Sequence, residues 1–275
     1  MKSIFLYPNM SKGDMHDAIL TILCKLSQFD VEVFVPNDCK IDGVKNTDIK
    51  DFKGSMIITL GGDGTMLTAI NKCKNIPILG INLGHLGFLT ELEITELEYL
   101  ENIFRGDFYL DKRMILDLEI IRNGIQIVKE VALNDVIVKT ENSFRVVNIE
   151  VLSDGKTALN FDGDGVIIAT PTGSTAYSMS AGGPIVEPEL EAICVTPICS
   201  HKLSGKSFVF STSREITIKV EERNQNIAYI AVDGNNNVRI NPNDIIKIRK
   251  SNDYIPFIRV KGTTFFNVLK RKIGG

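Results

Sequence analysis

The chain lacks the markers of several protein classes. Its five cysteines, Cys24, Cys39, Cys73, Cys194 and Cys199, are odd in number and form no C-x-x-C pair. That pattern argues against a disulfide framework or a zinc site and fits a reducing cytoplasm. Cys24 and Cys73 sit in apolar helical patterns and read as small core residues. The three histidines, His16, His85 and His201, show no metal-ligand spacing. Only His85 lies in a strand-end loop. No apolar run approaches the ~20 residues that cross a bilayer. The run Ile4-Phe5-Leu6-Tyr7 stops at Pro8, too short for a signal-peptide core. Lys and Arg number 31 against 34 Asp and Glu, a net charge of −3. Bulk charge therefore gives no attraction to nucleic acid or an anionic membrane. There is no internal repeat, and Lys270-Arg271-Lys272 reads as a solvated tail.

What is present is a chain of 275 residues with 44% hydrophobic side chains, enough for one large or two ordinary domains. The two halves follow different patterns. Up to about residue 106, strand and helix signals alternate, as in a Rossmann-like parallel sheet covered by helices. Strands are expected at Ile4–Tyr7, Val31–Val35, Met56–Leu60 and Pro77–Ile81. Helical spacing follows Asp14, then recurs over Met66, Leu67, Ile70 and Cys73, and over Leu97, Leu100, Ile103 and Phe104. From 107 to 258 the signals are short strands and turns, expected to form an all-β sandwich-like domain. Asn123-Gly124 and Asp154-Gly155 lie between apolar runs and predict hairpins, because both turn residues need positive φ. Further strands are expected at 208–210, 216–220, 227–232 and 245–248. Residues 259–275 form a weakly helical segment expected to return to the first domain.

The most informative stretch is Gly61-Gly62-Asp63-Gly64-Thr65, directly after the run Met56–Leu60. Three glycines in four positions permit a sharp turn and close ligand approach. A strand entering such a turn before a helix presents backbone N–H groups to phosphate. The stretch lacks the Lys-Ser/Thr ending of a P-loop and the third glycine of G-x-G-x-x-G. Asp63 is out of place beside phosphates unless it holds a metal, takes a proton or binds a hydroxyl. A structural carboxylate there would be costly, so Asp63→Asn is expected to abolish turnover with little loss of stability. The alternative is a plain glycine turn with Asp63 or Thr65 capping the next helix. The loop 82–88 occupies a second strand end, where open α/β sheets bind ligands.

A second glycine-rich constellation runs from Asp164 to Pro184. A strand enters Thr170-Pro171-Thr172-Gly173-Ser174-Thr175-Ala176-Tyr177, a short helix follows, and Gly182-Gly183 closes it. Hydroxyls and N–H groups at a helix start suit ribose and phosphate oxygens, and Tyr177 could stack on a heteroaromatic ring. Capping by Thr172 or Ser174, with Tyr177 in the core, explains the same residues. Asp162-Gly163-Asp164-Gly165 fails as a calcium loop, because later ligand positions fall on Val166 and Ile168.

Together, Gly61–Thr65, Gly80–Leu89, Leu133-Asn134-Asp135 and Thr170–Tyr177 resemble the bacterial NAD kinases in sequence, order and rough spacing. The resemblance covers most of the chain. The first motif alone is shared with diacylglycerol and sphingosine kinases, so a lipid kinase is one alternative and a non-enzymatic NAD-binding regulator another. The resemblance implies transfer of the γ-phosphoryl group of ATP to the 2′-hydroxyl of the adenosine ribose of NAD, with a divalent metal such as Mg²⁺. It implies that Asp63 is the catalytic carboxylate and that Gly61, Gly62, Gly64 and Thr65 cradle the ATP phosphates. It implies NAD contacts from Asp63, Gly64, Phe88, Asn134, Asp135, Arg145, Asp164, Thr175, Ala176, Tyr177, Ser180 and Asn235. The site is implied to form between subunits of a homodimer or homotetramer; if Tyr177 reaches a neighbour's NAD, no monomer holds a complete site. Two positions depart from the family pattern. Asp135 stands where Glu is frequent, and Asp162 where a basic residue is frequent.

Overall fold

Continuous apolar runs build one half of the molecule and alternating ones the other. The computed structural model describes residues 2–11, 15–84, 87–141, 146–200, 205–221, 227–241 and 243–273. The expectations placed on Asp14, His85, Arg145 and His201 lie outside the described residues. The chain divides into two compact units, residues 1–112 with 254–275, and residues 113–253.

The first unit begins with β1 (Lys2–Pro8), α1 (Met15–Leu26), β2 (Val31–Val35), β3 (Lys45–Asn46), β4 (Met56–Leu60) and α2 (Asp63–Lys72). It continues with β5 (Ile78–Asn82), β6 (Leu92–Glu93), a 3₁₀ stretch at Ile94–Tyr99 and α3 (Leu100–Arg105). The strands pair in parallel in the order β3-β2-β1-β4-β5, with β6 beside β5. Every residue of β4 and β5 is buried, as a strand covered on both faces requires. On α1 the buried residues Met15, Ala18, Ile19, Ile22 and Leu26 form one stripe. Cys24 falls off that stripe and is exposed, and Cys73 is half-buried, so the expectation of two core cysteines fails. Cys39 and Cys194 are the buried ones.

The second unit is antiparallel. β7 (Tyr109–Arg122) enters it and is followed by β8 (Ile125–Ala132), β9 (Asp135–Thr140), β10 (Val147–Ser153), β11 (Lys156–Gly163) and β12 (Gly165–Ala169). A 3₁₀ turn at Thr172–Thr175 and α4 (Tyr177–Ser180) precede β13 (Ala192–Ile198), β14 (Phe208–Ser211), β15 (Ile216–Glu221), β16 (Ala228–Val232), β17 (Asn235–Ile240) and β18 (Ile245–Arg259). One sheet runs β14-β13-β12-β9-β16-β17. β11, β10, β15 and the first part of β18 pair in sequence on the other side. Alternate residues of both groups, among them Val136, Val138, Val166 and Ile168 against Ile149, Val151, Ile218 and Ile246, share one core. This is the alternation of a sandwich. Asn123-Gly124 and Asp154-Gly155 both turn with positive φ, as the hairpin reading requires.

β18 is far longer than the expected strand at 245–248 and passes Pro256. Its last residues and α5 (Phe265–Ile273) belong to the first unit. A buried ion cluster fixes this return. Arg259, 8% exposed, donates from Nη1 to Glu91 Oε2 at 3.1 Å and from Nε to Asp111 Oδ2 at 3.1 Å. Glu91 Oε1 accepts the N–H groups of Val260 (3.0 Å) and Lys261 (2.8 Å). Arg259 Nη1 also donates to the Leu89 carbonyl at 3.3 Å, so the cluster pins the turn at 88–91. Removing one member of a buried pair leaves an uncompensated charge, at a cost of roughly 3–5 kcal/mol. Arg259→Met should lower the unfolding free energy by about that amount in urea titrations. A loss below about 1 kcal/mol would show that solvent already screens the cluster.

Candidate active site

In the first unit the strand order reverses between β1 and β4. Ligands of open α/β sheets bind at such a switch point. The glycine loop leaves β4 there, with Gly61 at φ +151°. Helix α2 begins at once, and its N-cap is Gly62, with no side-chain capping bond. The capping reading of Asp63 and Thr65 therefore fails. Among the described residues no group accepts the N–H of Gly62, Asp63 or Gly64. These are the unsatisfied donors of a helix start, aimed along the positive end of its dipole. Gly64 is exposed and Phe88 half-buried. Thr65 is buried, and its Oγ1 has no hydrogen-bond partner among the described residues.

Asp63 reaches across to the next strand-end loop. Its Oδ2 accepts the Phe88 N–H at 2.8 Å, and its Oδ1 accepts those of Leu89 at 3.1 Å and Thr90 at 3.3 Å. Gly87 permits this approach, because a Cβ there would overlap the carboxylate. A carboxylate has about four acceptor positions. Three are taken, which leaves one on Oδ2 for a ligand hydroxyl. The expectation that a structural carboxylate would be too costly here is corrected. Three backbone donors offset its desolvation, so Asp63 is structural as well as chemically available.

The second unit carries the remaining expected site residues. Leu133, Asn134 and Asp135 form the turn into β9. Their consecutive N–H groups all donate to the Asp233 carboxylate, at 2.9, 2.7 and 3.1 Å. The Asp233 N–H returns a bond of 3.0 Å to the Asp135 carbonyl. Thr170 ties the same turn to the Thr/Ser/Gly segment. It donates from its N–H to the Asn134 carbonyl (2.9 Å) and from Oγ1 to the Leu133 carbonyl (2.6 Å). Gly173 packs so closely on the Asn134 carbonyl that any Cβ would collide with it. Capping by Thr172 or Ser174 is not observed. Thr172 Oγ1 accepts from the buried Arg113 at 3.2 Å, and Ser174 Oγ bonds Pro171 and Val186. Tyr177 is 38% exposed, outside the core, and Ser180 is exposed beside it. Thr175 and Ala176 are half-buried. Asn235 is exposed and donates to the Asp233 carbonyl at 3.2 Å.

Two groups in this half are short of partners. Asn134 Oδ1 is buried and accepts no hydrogen bond among the described residues. Asp135 is 3% exposed, and none of the described residues donates to its carboxylate. Burial first, and the nearby Asp233 charge second, raise its pKa from 3.8 to about 7. A hydroxyl-rich ligand would supply what both lack. Asp164 stands apart. It precedes β12, whereas Asp135 pairs with Ala169 at the far end of that strand. Five residues of extended chain, roughly 17 Å, separate the two ends. The Cys199 thiol hydrogen-bonds to Asp164, which raises the thiol's pKa. Asp162 accepts from Asn148 Nδ2 at 2.9 Å.

The expected site residues thus fall into separate groups. Gly61, Gly62, Asp63, Gly64, Thr65 and Phe88 lie in the first unit. Asn134, Asp135, Thr175, Ala176, Tyr177, Ser180 and Asn235 gather in the second, and Asp164 lies at the opposite end of β12. Sequence reasoning missed Asp233, Arg113 and the Arg259–Glu91 cluster. Of these only Asp233 had a signal, the Asp233-Gly234 pair, which turns with positive φ like the two hairpins that were read.

Comparison with known proteins agrees with this division. Residues 28–108 match the ATP-NAD kinase N-terminal domain and residues 133–260 the ATP-NAD kinase C-terminal domain. The NAD kinase of Thermoanaerobacter sp. (strain X514) is 39% identical over 282 residues, covering 99% of each chain. The chain belongs to the NAD kinase family. The family's NAD kinase from Natranaerobius thermophilus is 35% identical, over 100% of this chain and 99% of its own. Among solved structures, an NAD kinase from Archaeoglobus fulgidus in complex with ATP superposes with a TM-score of 0.79 at 27% identity, over 100% of this chain and 99% of that one. The yeast NADH kinase complexed with NADH reaches 0.90 at 24% identity, over 100% and 88%, a likeness of fold.

The raised pKa of Asp135 has a consequence for stability. The folded state holds this proton up to about pH 7, whereas the unfolded chain releases it near 3.8. Stability from this group is therefore present below pH 4 and lost as pH rises to about 7. Asp135→Asn removes the penalty. Without nucleotide, its stability relative to wild type should grow between pH 4 and 7 and then level, by up to about 4 kcal/mol. Denaturant unfolding at pH 4.5 and 8 measures this. An equal difference at both pH values would mean that Asp135 titrates normally.

Proposed function

We propose that the protein is an ATP-dependent NAD kinase that transfers the γ-phosphoryl group of ATP to the 2′-hydroxyl of the adenosine ribose of NAD. The observation that carries the mechanism is the Asp63 carboxylate, held by three N–H groups with one acceptor position left on Oδ2. The ribose 2′-oxygen attacks the γ-phosphorus, the bond to the β–γ bridging oxygen breaks, and ADP leaves. Asp63 Oδ2 accepts the hydroxyl proton as the new bond forms. The open N–H groups of Gly62 to Gly64 are suited to phosphate oxygens. Asn134 and Asp135 accept the ribose hydroxyl hydrogens on the nicotinamide side, and Tyr177 and Asn235 border them. Among the described residues no three His, Cys, Asp or Glu side chains gather to hold a metal ion. A divalent ion such as Mg²⁺ would be held with the triphosphate's own oxygens as ligands. Its contribution when bound is to neutralise charge on the transferring group.

No helix among the described residues is long and apolar enough to cross a membrane, and the described cysteines are all free thiols. The proposed location is the cytoplasm, on the odd cysteine count without C-x-x-C spacing. A lipid kinase would share only the glycine loop, whereas both halves of this chain match the NAD kinase models. The test is NADP formation from NAD and ATP in a coupled assay. Asp63→Asn should reduce kcat by about 10²–10⁴-fold, with a lower melting temperature, because the amide NH₂ would face one of the N–H donors. Turnover near wild type in folded Asp63→Asn would remove the catalytic role.

The site is shared between subunits of a homo-oligomer. The support is the position of Asp164, at the far end of β12 from Asp135. If both contact one NAD, Asp164 serves a neighbour's site. Asp63→Asn and Asp164→Asn subunits, each impaired alone, should regain activity when co-refolded, because a heterodimer holds one intact site. Heterodimers without regained activity would refute the sharing.

A further inference from the structure

We propose that Asp233 is a positioning residue for NAD, fixing the Leu133-Asn134-Asp135 turn so that the Asn134 and Asp135 acceptors face the ribose. The inference rests on the reading of Asp135 as a ribose acceptor. The geometry is specific. Asp233 Oδ1 accepts from Asn134 (2.7 Å) and Asp135 (3.1 Å), and Oδ2 from Leu133 (2.9 Å). Its own backbone is left-handed, with φ +48°, in the Asp233-Gly234 turn between β16 and β17. That turn brings the carboxylate under a segment about 100 residues away in sequence. Three N–H donors aimed into one carboxylate fix the turn's peptide planes, and the planes fix where the Asn134 and Asp135 side chains leave the backbone. A hydrophobic residue at 233 would leave all three donors unpaired, and Asn would keep one acceptor oxygen while turning an NH₂ toward the remaining donor.

The same carboxylate also acts through its charge. The strand neighbours of Asp135 are apolar: Ala169 lies opposite it on β12, and Val232 ends β16 opposite Val136. Among the described residues, Asp233 is the charged group that acts on Asp135. Two carboxylates so close oppose each other's ionisation. Free Asp135 therefore keeps its proton to about pH 7, and losing it frees both oxygens to accept two ribose hydroxyl hydrogens as a charged, stronger acceptor. Binding NAD is thereby coupled to proton release, and Asp233 sets the pH at which that occurs.

The test compares full-length wild type, Asp233→Asn and Asp135→Asn by kcat and KM for NAD from pH 5.5 to 9, with unfolding curves for each. In wild type, KM for NAD should fall by up to about tenfold per pH unit and level above about pH 7. Asp135→Asn should flatten that dependence. In Asp233→Asn, KM at pH 8 should rise about tenfold as the turn loosens, and the midpoint should move down by about one pH unit, with kcat within about threefold of wild type. A merely structural residue would raise KM and leave the midpoint in place, and that result overturns the proposal, as does an unchanged KM. A pH dependence that survives in Asp135→Asn overturns the reading of Asp135 itself, and the inference with it. Should Asp233→Asn fail to fold, Asp233→Glu replaces it. It keeps the charge on a longer arm, so KM should rise with the midpoint near its wild-type value. An unchanged KM there would likewise refute positioning.

Discussion

In each unit, one turn that bears expected site residues is held by a single carboxylate that gathers three consecutive backbone N–H groups. Asp63 takes those of Phe88, Leu89 and Thr90, and Asp233 takes those of Leu133, Asn134 and Asp135. A turn cannot satisfy its own donors as a helix or sheet does, and each unpaired buried N–H costs about 1–3 kcal/mol. A charged acceptor resolves that deficit and fixes the turn in one conformation. It also leaves side chains that would otherwise be needed for folding available for chemistry. Glu91 repeats the device with Val260, Lys261 and Arg259, tying the C-terminal chain to the turn that holds Asp63. The catalytic proposal depends on this arrangement, because a general base must be fixed before its remaining lone pair can be aimed.

Asp135 shows the opposite condition. It is as buried as the acids that are satisfied, yet no described residue donates to its carboxylate, and a like charge stands beside it. Burial without donors is unfavourable for the free protein. Such a group is retained where a ligand supplies the donors, and the unfavourable free state then becomes part of the ligand's selectivity. A molecule without hydroxyls at that position would leave the penalty in place. Asn134 Oδ1, buried and without a partner among the described residues, makes the same demand.

The legible parts of the sequence were those with local causes. Buried parallel strands announced themselves as apolar runs, and Asn123-Gly124 and Asp154-Gly155 gave their hairpins because positive φ is a property of those residues alone. Asp233-Gly234 carries the same signal but was not read, since the strand after it begins Asn-Asn-Asn instead of with an apolar run. The capping readings of Asp63, Thr65, Thr172 and Ser174 failed for another reason. Each residue type does favour helix starts, but longer-range partners won. Asp63 found donors about 25 residues away, and Asp233 about 100 away. No periodicity encodes which distant N–H a carboxylate meets. Cys24 was misplaced because an apolar helical pattern gives a stripe, and the stripe's phase is set by what the helix packs on.

The position of Asp164 bears on how the site is completed. β9 and β12 are antiparallel partners, so residues that begin one lie beside residues that end the other. Asp135 starts β9 and pairs with Ala169, which ends β12; Lys139, near the end of β9, pairs with Gly165, which follows Asp164. The pairing makes the two acids occupy opposite ends of one sheet, and no side-chain rotation closes roughly 17 Å. A dinucleotide contacted by both acids must either span the sheet's length or meet one of them on another copy of the chain. The Asp135 end also carries the Thr/Ser/Gly segment, joined to it through Thr170. At the Asp164 end the described residues include the exposed Cys199 thiol bonded to the acid, with Lys139 nearby. The proposal of a shared site therefore rests on this separation along the strand.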